Sequence, residues 1–345
     1  MKRQCPSLAE DGPTLNQSEL FDAGALRQPT MKVRAAPESE GAVLESDSAP
    51  PPKPPRLAHY DEASDIRLYH GNCLDLLDEI TAKYTDGIFD MVFADPPYFL
   101  SNGGTTCKSG ERVAVDKGPW DQSRGLRDDS GFTEAWLRRC QRVLNPGGTL
   151  WVSGTHHNIF TTGSVLQDLG FRILNVIVWE KPNPPPNLSC RYFTHSIEFL
   201  IWAARNADSE HVFNYDLMRK INRGSQMQSV WRLSAPLPNE KVLGEHPTQK
   251  PVALVTRCLL ATTCEGDFVF DPFLGSGTSA VACLRNRRRF VGVDATADYV
   301  QLAMDRCMAE LEQGASLLDQ IAKSGGRQTD CLRDGNSKTA GVTTP

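Results

Sequence analysis

Two clusters of residues have types and spacing that could do chemistry. The first is FADPPYFL, Phe93 to Leu100, where the apolar run IFDMVFA ends in an acid followed at once by two prolines and two aromatics. Proline offers no ladder donor and fixes its own φ, and it pushes the residue before it out of the helical region. Asp95 is therefore expected at the end of a buried strand, on backbone stiffened by Pro96 and Pro97, with Tyr98 and Phe99 projecting beside it. Such an arrangement is a rigid acceptor set against flat rings.

The second cluster is DPFLGSGT, Asp271 to Thr278, which closes one strand and opens a helix. Gly275 and Gly277 remove side chains so that backbone can approach a ligand, and the helix start offers free amide donors to an anion. The stretch is neither a GxxxxGK[ST] phosphate loop, since no Lys follows, nor GxGxxG, since Ala280 stands three residues after Gly277. The next strand ends in GVDA, which places Asp294 where such folds hold a ribose by its hydroxyls. Together these features point to an adenosine-type cofactor. The competing reading of Asp294 is a helix cap before TADYV, a role that Thr296 could fill instead.

The elements that must position these clusters alternate along the chain. IRLYHG, IFDMVFA, TLWVSG, FRILNVIVWEK, HSIEFLIWAA, DFVFDPF and RFVGVDA read as strands. CLDLLDEITAKY, FTEAWLRRCQRVL, NIFTTGSVLQDLG, KPVALVTRCLLATTC, GTSAVACLRN and TADYVQLAMDRCMAELEQ read as helices, the second stopped by Pro146 and Gly147. The fold class is α/β, a Rossmann-like, mostly parallel sheet with helices on both faces, whose ligands bind at the carboxyl ends of strands. Residues 1–60, rich in Pro, Ser, Ala and Glu, and residues 316–345 read as disordered tails around a catalytic domain over 61–315.

With 345 residues the chain can hold one large domain or two ordinary ones, and no apolar run is long enough to cross a bilayer. MKRQCPSLAEDG lacks the apolar stretch of a secretory signal, so a cytoplasmic protein is expected. The ten cysteines include no CxxC pair and read as reduced thiols, several of them in the core, with no metal site. A net charge of −5 argues against a wholly basic nucleic-acid binder but leaves room for local basic patches.

An acid-Pro-Pro-aromatic strand end followed by an FxGxG-type strand end in one α/β domain resembles the S-adenosylmethionine-dependent amino-methyltransferases of DNA. The order, DPPY before FLGSGT, is similar to the beta class. HPTQKP at His246 to Pro251, WEKPNPPPN at Trp179 to Asn187 and LNPGGTLWV extend the resemblance over about Arg67 to Glu312. The stretch FLSNGGTTCKSGERVAVDKGPWD looks closer still to adenine methyltransferases of restriction-modification systems, the DpnA- and MboII-like group.

The resemblance implies a site-specific adenine methyltransferase with S-adenosylmethionine as cofactor and double-stranded DNA as partner. It leaves open a cognate restriction endonuclease, and a monomer or a homodimer. Asp95 and the Pro96 carbonyl would accept the two hydrogens of an exocyclic amine, with Pro97 stiffening the turn and Tyr98 stacking on an extruded base. Asp271, with Pro272 and Phe273 beside it, would face the methionine amine; Gly275 and Gly277 would allow close approach. Ser276, Thr278 and Lys250 would lie near the methionine carboxylate and Asp294 at the ribose. Asn72, where the family more often has Asp, and Cys73 would lie at the adenine ring, while Asp95 would also border the cofactor. A target-recognition region is expected over about 205–245, where Arg219, Lys220, Arg223, Arg232, Lys241 and Trp231 suit phosphate anchoring and base-edge readout. The RNRRR cluster, Arg285 to Arg289, ends a helix and reads as structural first. The rival readings are the exocyclic amine of cytosine, RNA as substrate, and a catalytically silent DNA-binding homologue.

Overall fold

The structure, a computed structural model, describes residues 54–101, 105–108, 111–114, 118, 121–187 and 190–325. The Pro-rich segment up to residue 53 and the stretch beyond 325, both expected to be tails, lie outside the described residues. The described residues belong to one compact unit, Pro52–Pro345.

Five parallel strands form the centre of the sheet: β2 (Ile66–His70), β11 (Arg289–Asp294), β10 (Phe268–Asp271), β3 (Phe89–Ala94) and β6 (Leu144–Gly154). β1 (Arg56–Asp61) flanks β2 in antiparallel sense. On the other side β8 (Ile197–Ala204) runs against β6, followed by β7 (Arg172–Glu180) and β9 (Val230–Arg232). The order is β1-β2-β11-β10-β3-β6-β8-β7-β9, and only β1 and β8 run against the rest. The mostly parallel sheet expected from the alternating pattern is present.

Both faces of the sheet are covered, as a parallel sheet requires. In β3, Met91 and Phe93 enter one core, while Val92 and Ala94 enter the other. The first core is closed by α5 (Val252–Thr262), α6 (Thr278–Arg285) and α7 (Ala297–Gly325); the second by α1 (Cys73–Lys83), α2 (Leu126–Val143) and α3 (Ile159–Asp168). Trp151 stacks on Trp202 with centroids 5.3 Å apart in the first core. Among the described residues no helix is long and apolar enough to cross a membrane. Cys73, Cys140, Cys258, Cys283 and Cys307 are free and buried.

Four boundaries differ from the sequence reading. β1 falls inside the expected tail, because its polar and half-exposed edge-strand pattern follows directly on the proline run. The backbone of α7 continues to Gly325, past the expected end of the domain. α2 begins at Leu126 rather than Phe132, since its first turn is polar and lacks the apolar period. β4 (Thr105–Lys108) and β5 (Glu111–Ala114) pair antiparallel within what reads as a loop.

Three of the central strands carry Asp95, Asp271 and Asp294 at or just past their carboxyl ends. The reversed strand β8 brings its amino end, with Glu198, to that same edge, just beyond the Phe199–Gly154 pair.

Candidate active site

A cavity of about 890 Å³ opens along this edge. Its wall includes Asn72, Cys73, Asp95, Pro97, Phe99, Lys250, Asp271, Gly275 and Asp294, so both sequence clusters meet in one place. α2 contributes a wall that was not foreseen. Its Phe132 lines the cavity and packs edge-on against Phe99, with centroids 6.4 Å apart.

Asp95 is largely buried, and both of its oxygens accept hydrogen bonds. Its Oδ2 accepts from Lys250 Nζ at 2.7 Å, and its Oδ1 accepts from Tyr98 Oη at 2.8 Å and from Ser153 Oγ. Burial alone would raise the pKa of this carboxyl, but the Lys250 charge and the three hydrogen bonds outweigh it and hold the pKa below the ordinary range. Lys250 is buried as well. Desolvation would lower its pKa, yet Asp95 and Glu198 together raise it, so the pair stays charged. The Lys250 side chain therefore stands on the acid and not with the glycine turn, although its backbone carbonyl accepts from Thr278 Oγ1 at 3.1 Å.

Tyr98 is placed differently from the expectation. It is buried with its hydroxyl on Asp95, Lys250 Nζ lies 5.1 Å from its ring centroid, and the ring is not part of the cavity wall. Phe99, at φ 58°, is the aromatic of the motif that lines the cavity.

The bend that carries these residues is held by Asp121, which the sequence reading missed. This fully buried carboxylate accepts from Tyr98 N at 2.9 Å, Phe99 N at 2.8 Å, Leu100 N at 3.2 Å and Ser101 Oγ at 2.9 Å. Consecutive backbone N–H groups converging on one anion fix the local backbone. Nothing in the spacing links Asp121 to Tyr98; its place in KGPWD carries only family similarity.

At the glycine turn, Asp271 is buried and accepts from Phe273 N at 2.9 Å and from Ser279 Oγ. Among the described residues it forms no ion pair, and burial pushes its carboxyl up to about 7. Asp294 binds the turn to β11: its Oδ2 accepts from Gly275 N and its Oδ1 from Thr296 N, both at 2.8 Å. The side chain thus makes the local cap, and its carboxyl still borders the cavity.

Gly277 does not face the cavity. At φ 74°, a Cβ there would meet Ala303 Cβ of α7 at 2.6 Å, so the glycine serves helix packing and corrects the close-approach assignment. Gly275, at φ 48°, lines the cavity, with His246 3.3 Å from its would-be Cβ. Ser276 and Thr278 also line it, but their hydroxyls accept from the buried Arg306 Nη1 at 2.9 and 3.2 Å. Arg306, deep in a helix of ordinary amphipathic pattern, carried no signal in the sequence.

Asn72 caps α1, accepting from Leu74 N at 2.9 Å, and lines the cavity beside Cys73. Burial pushes the Cys73 thiol up to about 12, so it serves as apolar wall. Pro272 and Phe273 line the cavity opposite. The residues fit the expected S-adenosylmethionine. A buried carboxyl without a cationic partner suits an ammonium, the acid at the end of β11 suits hydroxyls, and Phe93, Val255, Phe273 and Leu274 give an apolar wall.

In the expected recognition region, α4 (Tyr215–Ile221) and β9 are ordered elements. Arg219, Lys220, Arg223 and Arg232 are exposed and Lys241 is half-buried. Trp231 is buried in the sheet core, 6.0 Å from Trp151, which removes it from the expected DNA contacts. The RNRRR cluster is structural: Arg285 pairs with Glu310, Arg287 with Glu265 and Arg289 with Asp65, while Arg288 is buried on Thr263.

A family model described as DNA methylase matches residues 89–305, from β3 into α7. The chain is 45% identical over 253 residues to the type II methyltransferase M2.MboI of Moraxella bovis, covering 73% of this chain and 91% of that protein. It is 48% identical over 249 residues to the type II methyltransferase M2.DpnII of Streptococcus pneumoniae, covering 71% and 93%. Among solved structures, the M1.HpyAVI–SAM complex is 26% identical with a TM-score of 0.54, covering 70% of this chain and 98% of that one. The PvuII DNA methyltransferase, described as cytosine-N4-specific, shares the fold at 16% identity and a TM-score of 0.57, covering 73% and 88%.

Proposed function

The chain belongs to the DNA methylase family, and from that premise we propose that it methylates the exocyclic 6-amino group of adenine within a short specific sequence of double-stranded DNA. The cofactor is S-adenosylmethionine, which when bound supplies the methyl group as a sulfonium substituent. Asp271 would hold the ammonium, Asp294 the ribose hydroxyls and the wall around Asn72 the ring.

The observation that carries the reading is the setting of Asp95: a largely buried carboxylate at a strand end, paired with Lys250 at 2.7 Å. The amine of adenine is a poor nucleophile because its lone pair is shared with the ring. A carboxylate accepting one amine hydrogen, with the Pro96 carbonyl accepting the other, favours a tetrahedral nitrogen and stabilises the positive charge that develops on attack. Because the pKa of Asp95 is held low, it stays an acceptor throughout the neutral range. The target atom is hidden in a duplex, so the base must be extruded, at a cost of a few kcal/mol. Stacking against an aromatic of the motif returns about 1–3 kcal/mol. The exposed basic residues between Arg219 and Lys241 are suited to hold the duplex phosphates nearby.

The Asp-led motif and the similarity around FLSNGG and KGPWD favour adenine over cytosine. DNA from cells expressing the protein, digested to nucleosides and run by mass spectrometry, is expected to carry methyl on the 6-amino group of adenine. Methyl found only on the amine of cytosine would overturn the base assignment.

A further inference from the structure

Lys250 stands where the substrate must go. Its Nζ donates to Asp95 Oδ2 at 2.7 Å and lies over the ring of Tyr98, 5.1 Å from the centroid. Asp95 Oδ1 already accepts from Tyr98 and Ser153, so the oxygen left for an incoming amine is Oδ2, the one that Lys250 holds. Tyr98 and Ser153 are held in their places by the bend and by β6, whereas Lys250 ends a flexible four-carbon stem. The cation is also in the wrong place for chemistry, since positive charge develops on the amine beside Asp95 and a lysine at hydrogen-bond distance opposes it.

A second acceptor is within reach. Glu198 Oε2 lies 3.8 Å from the same Nζ, is buried and accepts no hydrogen bond among the described residues. Its other oxygen, Oε1, is anchored by Lys181 Nζ, which itself lies 4.8 Å from the Trp179 ring centroid. Glu198 is therefore a fixed carboxylate with one oxygen aimed at Lys250. A buried polar oxygen left without a hydrogen bond is unfavourable, and a bond from Lys250 would remove that cost.

We propose that Lys250 is a displaceable stand-in for the substrate amine, which moves from Asp95 Oδ2 to Glu198 Oε2 as the extruded base enters. The shift frees one oxygen of Asp95 and one face of Tyr98 together, while the buried charges stay balanced. It also explains why Tyr98 is covered: its stacking face is held under the lysine until a base arrives. Glu198 is thus a positioning residue that acts through Lys250. The inference rests on Asp95 receiving the amine, as in the proposed function.

The test is a double-mutant cycle on the full chain, with single-turnover methylation, S-adenosylmethionine affinity and duplex affinity measured for each variant. Glu198→Gln keeps the shape but removes the charge that draws the lysine. It is expected to slow methyl transfer about 10–100-fold, with both affinities within twofold of wild type. Glu198→Asp, which restores a charge one methylene further back, is expected to recover part of that rate. In a Lys250→Met background, Glu198→Gln is expected to cost less than twofold. An unchanged rate for Glu198→Gln, no recovery in Glu198→Asp, or an equal loss with and without Lys250 would overturn the switch. Asp95→Ala, run alongside, separates the two ideas: an inactive Asp95 variant with a fully active Glu198→Gln sinks the switch alone, and an active Asp95 variant sinks the reading beneath it.

Discussion

Asp95 and Asp271 stand at the ends of neighbouring strands, β3 and β10, and both carboxyls are withdrawn from water. Their charges are handled in opposite ways. Asp95 has Lys250 at 2.7 Å and is held ionised. Among the described residues Asp271 has only a hydroxyl and a backbone N–H as donors, and burial lifts it to about 7. Environments that push two similar groups apart mark separate tasks. The first is prepared for a neutral amine, which needs an acceptor that is always charged. The second is prepared for a cation, whose arrival supplies the missing partner.

The largest expected effect breaks the first half of this contrast. Asp95→Ala should lower the rate of methyl transfer by at least about 10²–10³-fold, the scale of losing one preorganised charge-stabilising group. Affinity for S-adenosylmethionine should stay within about threefold, because the acid serves the base. A folded variant that loses cofactor affinity and turnover together would merge the two acids into one site.

Gly277 and Gly275 sharpen the contrast on the side of Asp271. A Cβ at residue 277 would meet Ala303 at 2.6 Å, with φ at 74°, so Gly277→Ala strains the packing of α6 on α7. About 2–4 kcal/mol of stability should be lost, read as a lower urea midpoint. Gly275→Ala instead puts its methyl at the cavity wall, 3.3 Å from His246. Its main effect should be weaker cofactor binding with a smaller loss of stability. The reverse pattern would return Gly277 to the ligand and remove Gly275 from it.

These positions show what the sequence could and could not say. Strand ends were legible because Pro96 and Pro97 stop one strand and the glycine turn stops another, and both signals are local. The parallel sheet was legible because its strands are buried runs between amphipathic helices. The partner of Lys250 was not, since Asp95 and Lys250 lie 155 positions apart and meet only through the sheet order. Asp121 acts 23 positions from Tyr98 and Arg306 30 positions from Ser276, nearer in the chain but still beyond any local spacing, and Glu198 reaches Lys250 only through the sheet order. Gly277 misled because a glycine beside a ligand and a glycine beneath a crossing helix look alike in one dimension. Trp231 misled for the same reason: a tryptophan among basic residues reads as a nucleic-acid contact until β9 carries it into the core.

The smallest effect concerns pH, and it tests the second half of the contrast directly. Asp271 is raised from the ordinary carboxylate value of 3.8 to about 7 by burial, so between these values the folded protein holds a proton that the unfolded chain has released. The sign follows from linkage: stability contributed by the protonated carboxyl is present at low pH and is lost as pH rises towards 7. Cofactor binding runs the other way. An ammonium is attracted by the carboxylate and not by the neutral acid, so binding must first expel the proton wherever pH lies below 7. Affinity for S-adenosylmethionine should therefore weaken by up to about tenfold per pH unit on going down from 7, and should level off near it. Asp271→Asn removes both the charge and the titration. Calorimetric titration at several pH values should give a weaker but nearly flat affinity for that variant, and the unligated variant should lose the wild-type fall in stability towards pH 7. Asp95 predicts no such slope, because Lys250 keeps it ionised throughout the range. If the slope persisted in Asp271→Asn, some other group would be meeting the cofactor's charge, and the division of labour between the two acids would have to be redrawn.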